Sequence, residues 1–195
     1  VTTATLPVRS NTHPSPAQLT FVSDYSRPMS EFDELAFRES VRGYIAAHAP
    51  KLPYRVGTRS PEDVHESEIL RDWSRQLYDA GFYGADWPVE FGGRDDYHAV
   101  EEMIVTEELA KARAPIPIGS GSLASHALLH FGTRQQQEYF LPKIRSYEHV
   151  WCHLFSEPDA GSDLAGMRTL AIRDGGHFVV NGQKVWSTNA AFSDV

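Results

Sequence analysis

Cysteine is all but missing from this chain: Cys152 stands alone among 195 residues. A lone thiol excludes an intrachain disulfide framework and a cysteine-based metal cluster. Set in an apolar run, Cys152 reads as a buried small hydrophobe, and nothing asks for an oxidising compartment. Long apolar runs are missing too. No segment approaches the roughly 18 residues needed to cross a bilayer, and the opening residues lack the apolar stretch of a secretory signal. Basic excess is the third absence, since 18 Lys and Arg face 26 Asp and Glu for a net charge of −8. Such a surface repels phosphate backbones, which argues against nucleic acid as the main partner. It leaves room for local basic groups to hold a small anionic cofactor. The expected compartment is the cytoplasm, and no internal repeat is visible.

What is present is enough for a core. Hydrophobic residues make up 41% of the chain, sufficient for one or two domains. Residues 1–29 carry Pro7, Pro14, Pro16 and Pro28 among many Ser and Thr, and read as a flexible tail. From Ser30 the spacing turns helical. Ser30 with Asp33 resembles a capping box, and Phe32, Leu35, Ala36, Val41, Tyr44 and Ile45 recur on one face until Pro50. A second helix is expected over 66–80, with Ile69, Leu70, Trp73, Leu77 and Tyr78 as its apolar stripe and Gly81 as a left-handed cap. A third is expected over 97–112, where Glu101, Glu102, Glu107 and Glu108 read as a solvated face. A fourth spans 120–131. Thr133 with Gln136 forms a second capping-box pattern, opening a fifth helix that ends near Pro142.

The period changes near Tyr147. Residues 150–156 suit a buried strand, 167–173 are strand-like, and 177–180 with 183–187 suggest a hairpin turning at Asn181-Gly182. The fold class is therefore α+β: a helical N-terminal domain over 30–147, followed over 148–195 by the first part of an antiparallel β domain. So few strands leave an open edge and an uncovered apolar face. The expectation is that further polypeptide, or another chain, completes the sheet.

Two segments carry chemistry. In Phe155-Ser156-Glu157-Pro158-Asp159-Ala160-Gly161-Ser162-Asp163 a hydroxyl-bearing strand end leads into a glycine turn and a second hydroxyl. Gly161 permits close backbone approach, successive turn amides can form an anion nest, and Ser162 can donate to a phosphate oxygen. Asp163 can brace the turn. The same letters also describe an ordinary Pro/Gly surface loop. In Trp186-Ser187-Thr188-Asn189 an indole at a strand end offers a flat face, and a hydroxyl two residues on shares its side. A core Trp followed by a turn would look alike. His126 and His130, four apart on a helix, have metal-ligand spacing, but no third ligand accompanies them.

Taken together, the two segments resemble the flavin-binding elements of the acyl-CoA dehydrogenase family. Trp87-Pro88-Val89-Glu90-Phe91-Gly92-Gly93 is similar to that family's early loop, Phe131-Gly132-Thr133 through Tyr139-Phe140-Leu141-Pro142 to the end of its helical domain, and Val180-Asn181-Gly182-Gln183-Lys184-Val185-Trp186 to its hairpin before the flavin. The resemblance covers about residues 30–195. It implies FAD as cofactor, with Ser156 at the pyrimidine edge and Phe155 alongside. It implies Gly161 and Ser162 near the diphosphate, with Ser162 also meeting bound acyl-CoA. Trp186 would flank the ring, Thr188 would reach its reactive edge, and Ser187 lies between them. The segment 122–129 would border the acyl pocket. Leu154-Phe155 departs from the family's usual small-then-aliphatic pair, and Phe155 narrows the expected flavin or thioester pocket.

The implied reaction is α,β-dehydrogenation of an acyl-CoA thioester, as in fatty-acid β-oxidation, with an electron-transfer flavoprotein as acceptor. A dimeric or tetrameric homo-oligomer, or a complementary chain, is implied as the assembly. The family's catalytic base usually lies in a C-terminal helical domain that this sequence does not contain, so no catalytic residue is assigned here. Two alternatives stay open: a flavin oxidase or monooxygenase on the same scaffold, and a non-catalytic subunit or fragment completed by another chain.

Overall fold

A computed structural model of the chain describes residues 2–7, 32–53, 60–117 and 121–195. Five helices come first: α1 (Glu34–His48), α2 (Val64–Asp79), α3 (Glu101–Ala112), α4 (Gly121–Phe131) and α5 (Arg134–Arg145). Each start has a local cause. Asp33 caps α1 by accepting from the Ala36 N–H at 3.0 Å, while its expected companion Ser30 lies outside the described residues. Asp63 caps α2 through the Glu66 N–H at 2.8 Å, so this helix begins at Val64 rather than Glu66. The Thr133–Gln136 capping box is formed in full, with the Thr133 N–H donating to Gln136 Oε1 at 2.8 Å and the Gln136 N–H to Thr133 Oγ1 at 3.3 Å. Thr133→Ala removes one of these bonds and should cost about 1 kcal/mol, readable as a fall in the thermal midpoint. The helix runs through Pro142 to Arg145 rather than ending near the proline, at the cost of the missing Pro142 N–H bond and of crowding against the carbonyl four residues back.

The helical core gathers the stripe residues. Val41, Ile45, Trp73, Leu77, Val105 and Leu109 pack together from α1, α2 and α3, and the Trp73 indole N–H is satisfied by the Pro115 carbonyl at 2.9 Å. A second cluster joins Trp87 and Phe91 to Ala124, Leu129, Leu141 and Ile144. A third, of Leu70, Tyr147 and Val150, leads the chain out of the helices.

Two of the four acids of α3 correct the expectation of a solvated face, while Glu102 is exposed and Glu107 partly so. Glu101 and Glu108 are only 3% and 2% exposed. Glu101 takes the Arg94 guanidinium at 2.7 Å, and this fork holds 94–100 as a loop, so α3 starts at Glu101 rather than 97. Glu108 accepts from Arg42 at 2.6 Å and from Arg38 and Lys111, each at 2.9 Å. A helix face turned toward a neighbouring helix rich in arginine can bury carboxylates that are paired.

After α5 the chain becomes extended. A three-stranded antiparallel sheet is ordered β1 (Thr2–Pro7), β3 (His177–Gly182), β2 (Leu170–Asp174). Thr2 pairs with Gly182 and Pro7 with His177. This corrects the tail expected over 1–29 at its start: the six residues Thr2–Pro7 pair along the free edge of β3. The remainder of that stretch lies outside the described residues. The hairpin also differs. Its turn is Gly175-Gly176, with Asp174 opposite His177 and Gly175 at φ +56°. Asn181-Gly182 instead closes β3, where a Cβ on Gly182 would overlap Thr169 Oγ1. The diglycine suits a two-residue turn at least as well, and the close approach of Thr169 accounts for Gly182.

The stretches 150–156 and 183–187, expected as strands, form no regular ladder, and Trp186 at φ +56° departs from extended backbone. They are fastened at points: the Cys152 N–H to the Val195 carbonyl at 2.9 Å, the Asp194 N–H to the Val150 carbonyl at 2.8 Å, and the Val185 N–H to the Ser156 carbonyl at 3.0 Å. Arg71 of α2 pairs with Asp194 at 3.0 Å, tying this region to the helices. Cys152 is half-buried rather than enclosed, because an extended segment with few neighbours leaves one side open. Among the described residues, no helix is long and apolar enough to cross a membrane.

Candidate functional site

The candidate site is built where two irregular stretches meet. Ser156 ends the first, and its carbonyl receives the N–H of Val185, the residue before Trp186. Ser156 and Trp186 thus lie on two segments that this backbone bond joins. Past Ser156 the chain turns back at once: the Glu157 N–H donates to the Ala160 carbonyl at 2.7 Å, and the Ala160 N–H returns to Glu157 at 3.2 Å. Gly161 and Ser162 follow on the open side of this turn. A Cβ on Gly161 would meet nothing within 4 Å, so the backbone here lies open to an approaching ligand. Asp163 opens a short 3-10 turn over Leu164–Gly166, and its carbonyl accepts the Gly166 N–H at 3.1 Å.

Trp186 is 90% exposed and sits at φ +56°. A bulky L-residue in the left-handed region costs about 1–3 kcal/mol and persists where function or surroundings demand it. Within this chain the indole packs against little. Thr188 is exposed beside it, and Ser187 carries the carbonyl that receives the Ala190 N–H at 3.2 Å. Phe155 is 50% exposed and stacks on His153 at a ring separation of 5.7 Å. All seven residues picked from the sequence thus fall on two adjoining strips, with Ser156 and Trp186 at their junction. His126 and His130 stack on α4 with centroids 6.4 Å apart, well away from these strips in the chain.

The comparisons with known proteins place the chain in a family. Residues 31–148 match the model of the acyl-CoA dehydrogenase N-terminal domain, and 152–195 match that of the acyl-CoA dehydrogenase middle domain. The chain belongs to the acyl-CoA dehydrogenase family. It is 41% identical over 161 residues to the acyl-CoA dehydrogenase IpdE1 of Mycobacterium tuberculosis, covering 80% of this chain and 42% of that protein. Among solved structures it is similar to the ChsE4-ChsE5 complex of Mycobacterium tuberculosis, at a TM-score of 0.64 and 29% identity, covering 91% of this chain and 42% of that one. The Tcur3481-Tcur3483 steroid ACAD is also similar, at a TM-score of 0.66 and 29% identity, covering 88% and 43%. This chain therefore spans about two-fifths of the length of these relatives.

Two residues of the acyl-CoA dehydrogenase motifs were quoted in the sequence without a role: Glu157 and Lys184. Glu157 is buried and its carboxylate accepts from Lys184 Nζ at 2.8 Å, the Arg168 N–H at 2.6 Å and the Thr169 N–H at 3.0 Å. Lys184 ahead of Thr169 and Arg168 holds its carboxyl well below the usual range, at about 2. A charged residue between a serine and a proline, in a segment with few others, was the available signal.

Proposed function

We propose that this chain forms the flavin-binding part of an acyl-CoA dehydrogenase that oxidises an acyl-CoA thioester between its α and β carbons. The observation that carries the reading is the Val185–Ser156 backbone bond, which joins the segment of Ser156 to that of the exposed Trp186. The residues present fit FAD in kind. Trp186 offers a flat apolar face, Ser156 and Thr188 offer hydroxyls to a polar ring edge, and the open backbone at Gly161 with Ser162 suits a diphosphate. FAD, when bound, supplies the two-electron acceptor for the reaction.

The chain's own residues bind and orient. Trp186 and Phe155 would exclude water from the ring, and Ser156 would donate to a ring acceptor. Ser162 would donate to the diphosphate and meet the acyl-CoA. The general base lies outside this chain in our reading, because removing an α-proton needs a carboxylate poised near working pH. Glu157, held at about 2 by its partners, is too weak a base for that task. Electrons would leave to an electron-transfer flavoprotein, in the cytoplasm. Two structural relatives carry two protein names each, which supports an assembly with a complementary chain beside the homo-oligomer. One of them is a steroid ACAD, so a steroid-derived acyl-CoA is the first substrate to offer.

The full-length protein, purified with any partner chain, should be yellow. Its flavin band should bleach under anaerobic conditions on adding a steroid-derived or a short-chain acyl-CoA. A colourless protein that FAD does not reconstitute would reject the reading.

A further inference from the structure

The Glu157–Lys184 pair sits at the junction of the two strips and does more than neutralise charge. Lys184 Nζ donates to Glu157 Oε1 at 2.8 Å and to the Phe155 carbonyl at 3.0 Å, and lies 3.5 Å from Met167 Sδ. Glu157 in turn receives the N–H groups of Arg168 and Thr169. One carboxylate and one ammonium thus fasten 155–157, 168–169 and 184 to each other. The lysine side chain is 19% exposed and the glutamate 6%.

A buried ion pair is a weak stabiliser compared with apolar packing of the same volume, and its best-attested use is to fix register. Register is what this junction needs. Residues 183–187 lie outside the regular ladder of β3, so repeated backbone bonds do not hold them in place. Trp186 itself leaves the extended region, at φ +56°, so a change in how 184–186 sit against 155–157 would redirect its side chain.

We propose that Glu157 and Lys184 are positioning residues of the flavin site, whose ion pair locks the register of 184–186 against 155–157 and so aims the Trp186 indole and the Ser156 hydroxyl at one ligand. This rests on the flavin reading above. Neither residue need touch the cofactor. The pair acts through Ser156 and Trp186.

The test uses the full-length apoprotein with any partner chain, titrated with FAD. Flavin fluorescence gives the dissociation constant, and visible circular dichroism of bound FAD reports the asymmetry of its surroundings. Lys184→Met and Glu157→Gln should each weaken FAD binding by about tenfold or more, since small misplacements of a site are costly, and should change the dichroic spectrum. Lys184→Arg keeps the charge and should stay within about threefold of the unsubstituted protein. The double variant should be no worse than the worse single one, because both break the same clamp. Unchanged affinity and dichroism in the single variants would overturn the proposal. So would loss of the folded state in both, because the pair would then hold the domain rather than the site. If the unsubstituted protein itself fails to bind FAD, the functional reading falls and this inference with it. If it binds and the variants bind equally well, this inference alone falls.

Discussion

Replacing Trp186 by glycine is expected to separate ligand binding from stability: FAD affinity of the full-length protein should drop about thirtyfold while the apoprotein becomes slightly more stable. The first half follows from stacking. An aromatic face against a planar heterocycle contributes about 1–3 kcal/mol, and each 1.4 kcal/mol is a factor of about ten in the dissociation constant. The second half follows from the backbone. Trp186 holds φ +56°, a conformation that glycine adopts without a Cβ clash. With the indole 90% exposed, little packing is lost to offset that relief, so a gain of about 1 kcal/mol is expected. Trp186→Phe keeps a ring and should bind FAD within about threefold of the unsubstituted protein. Fluorescence titration and thermal melting of the same samples decide. Unchanged affinity in the glycine variant would remove the platform from the site. A stability loss of several kcal/mol would make the residue part of a core.

How far the sequence could be read depended on how far each cause lay along the chain. The capping box at Thr133 and Gln136, and the stripes holding Ile45, Trp73 and Leu77, are local. Three or four residues contain the whole cause, and the structure has them as read. The two segments proposed as the flavin site are short patterns of the same kind, a hydroxyl before a glycine turn and an indole before a hydroxyl. What failed was long-range. Asn181-Gly182 was read as a turn because nothing nearby shows that Thr169 crowds Gly182. The edge that recruits Thr2–Pro7 is formed by β3, some 170 residues further on. Glu157 stood in plain view, but its role depends on Lys184 and on two backbone N–H groups that only the fold brings to it. Glu108 is the same case on the helical side. Its spacing on α3 fits a solvated face, and its burial follows from Arg38 and Arg42 on α1.

That burial makes Glu108 the site of the largest stability effect expected here. Glu108→Gln should destabilise the protein by about 3 kcal/mol, the lower end of what breaking a buried ion pair costs. The lower end applies because Arg42 and Lys111 are each more than half exposed and water can still reach them. The amide cannot accept from Arg42, Lys111 and Arg38 together as the carboxylate does, and although Glu107 still pairs with Arg38 and Lys111, Arg42 loses its carboxylate partner. The same interactions predict a pH dependence with a definite sign. Bonding to Arg42, then to Lys111 and Arg38, holds the Glu108 carboxyl down at about 2 in the folded protein. In the unfolded chain it titrates at the ordinary carboxylate value. As pH falls, the unfolded chain takes up the proton first, so the contribution of Glu108 is complete above the ordinary range and is lost progressively on the way to about pH 2. Glu108→Gln has no such proton to take up. Its urea midpoint should therefore change less than that of the unsubstituted protein between pH 5 and pH 3, and the two curves should converge as the solution is acidified. Parallel curves over that window would show that Glu108 does not carry the acid sensitivity of the α1–α3 contact.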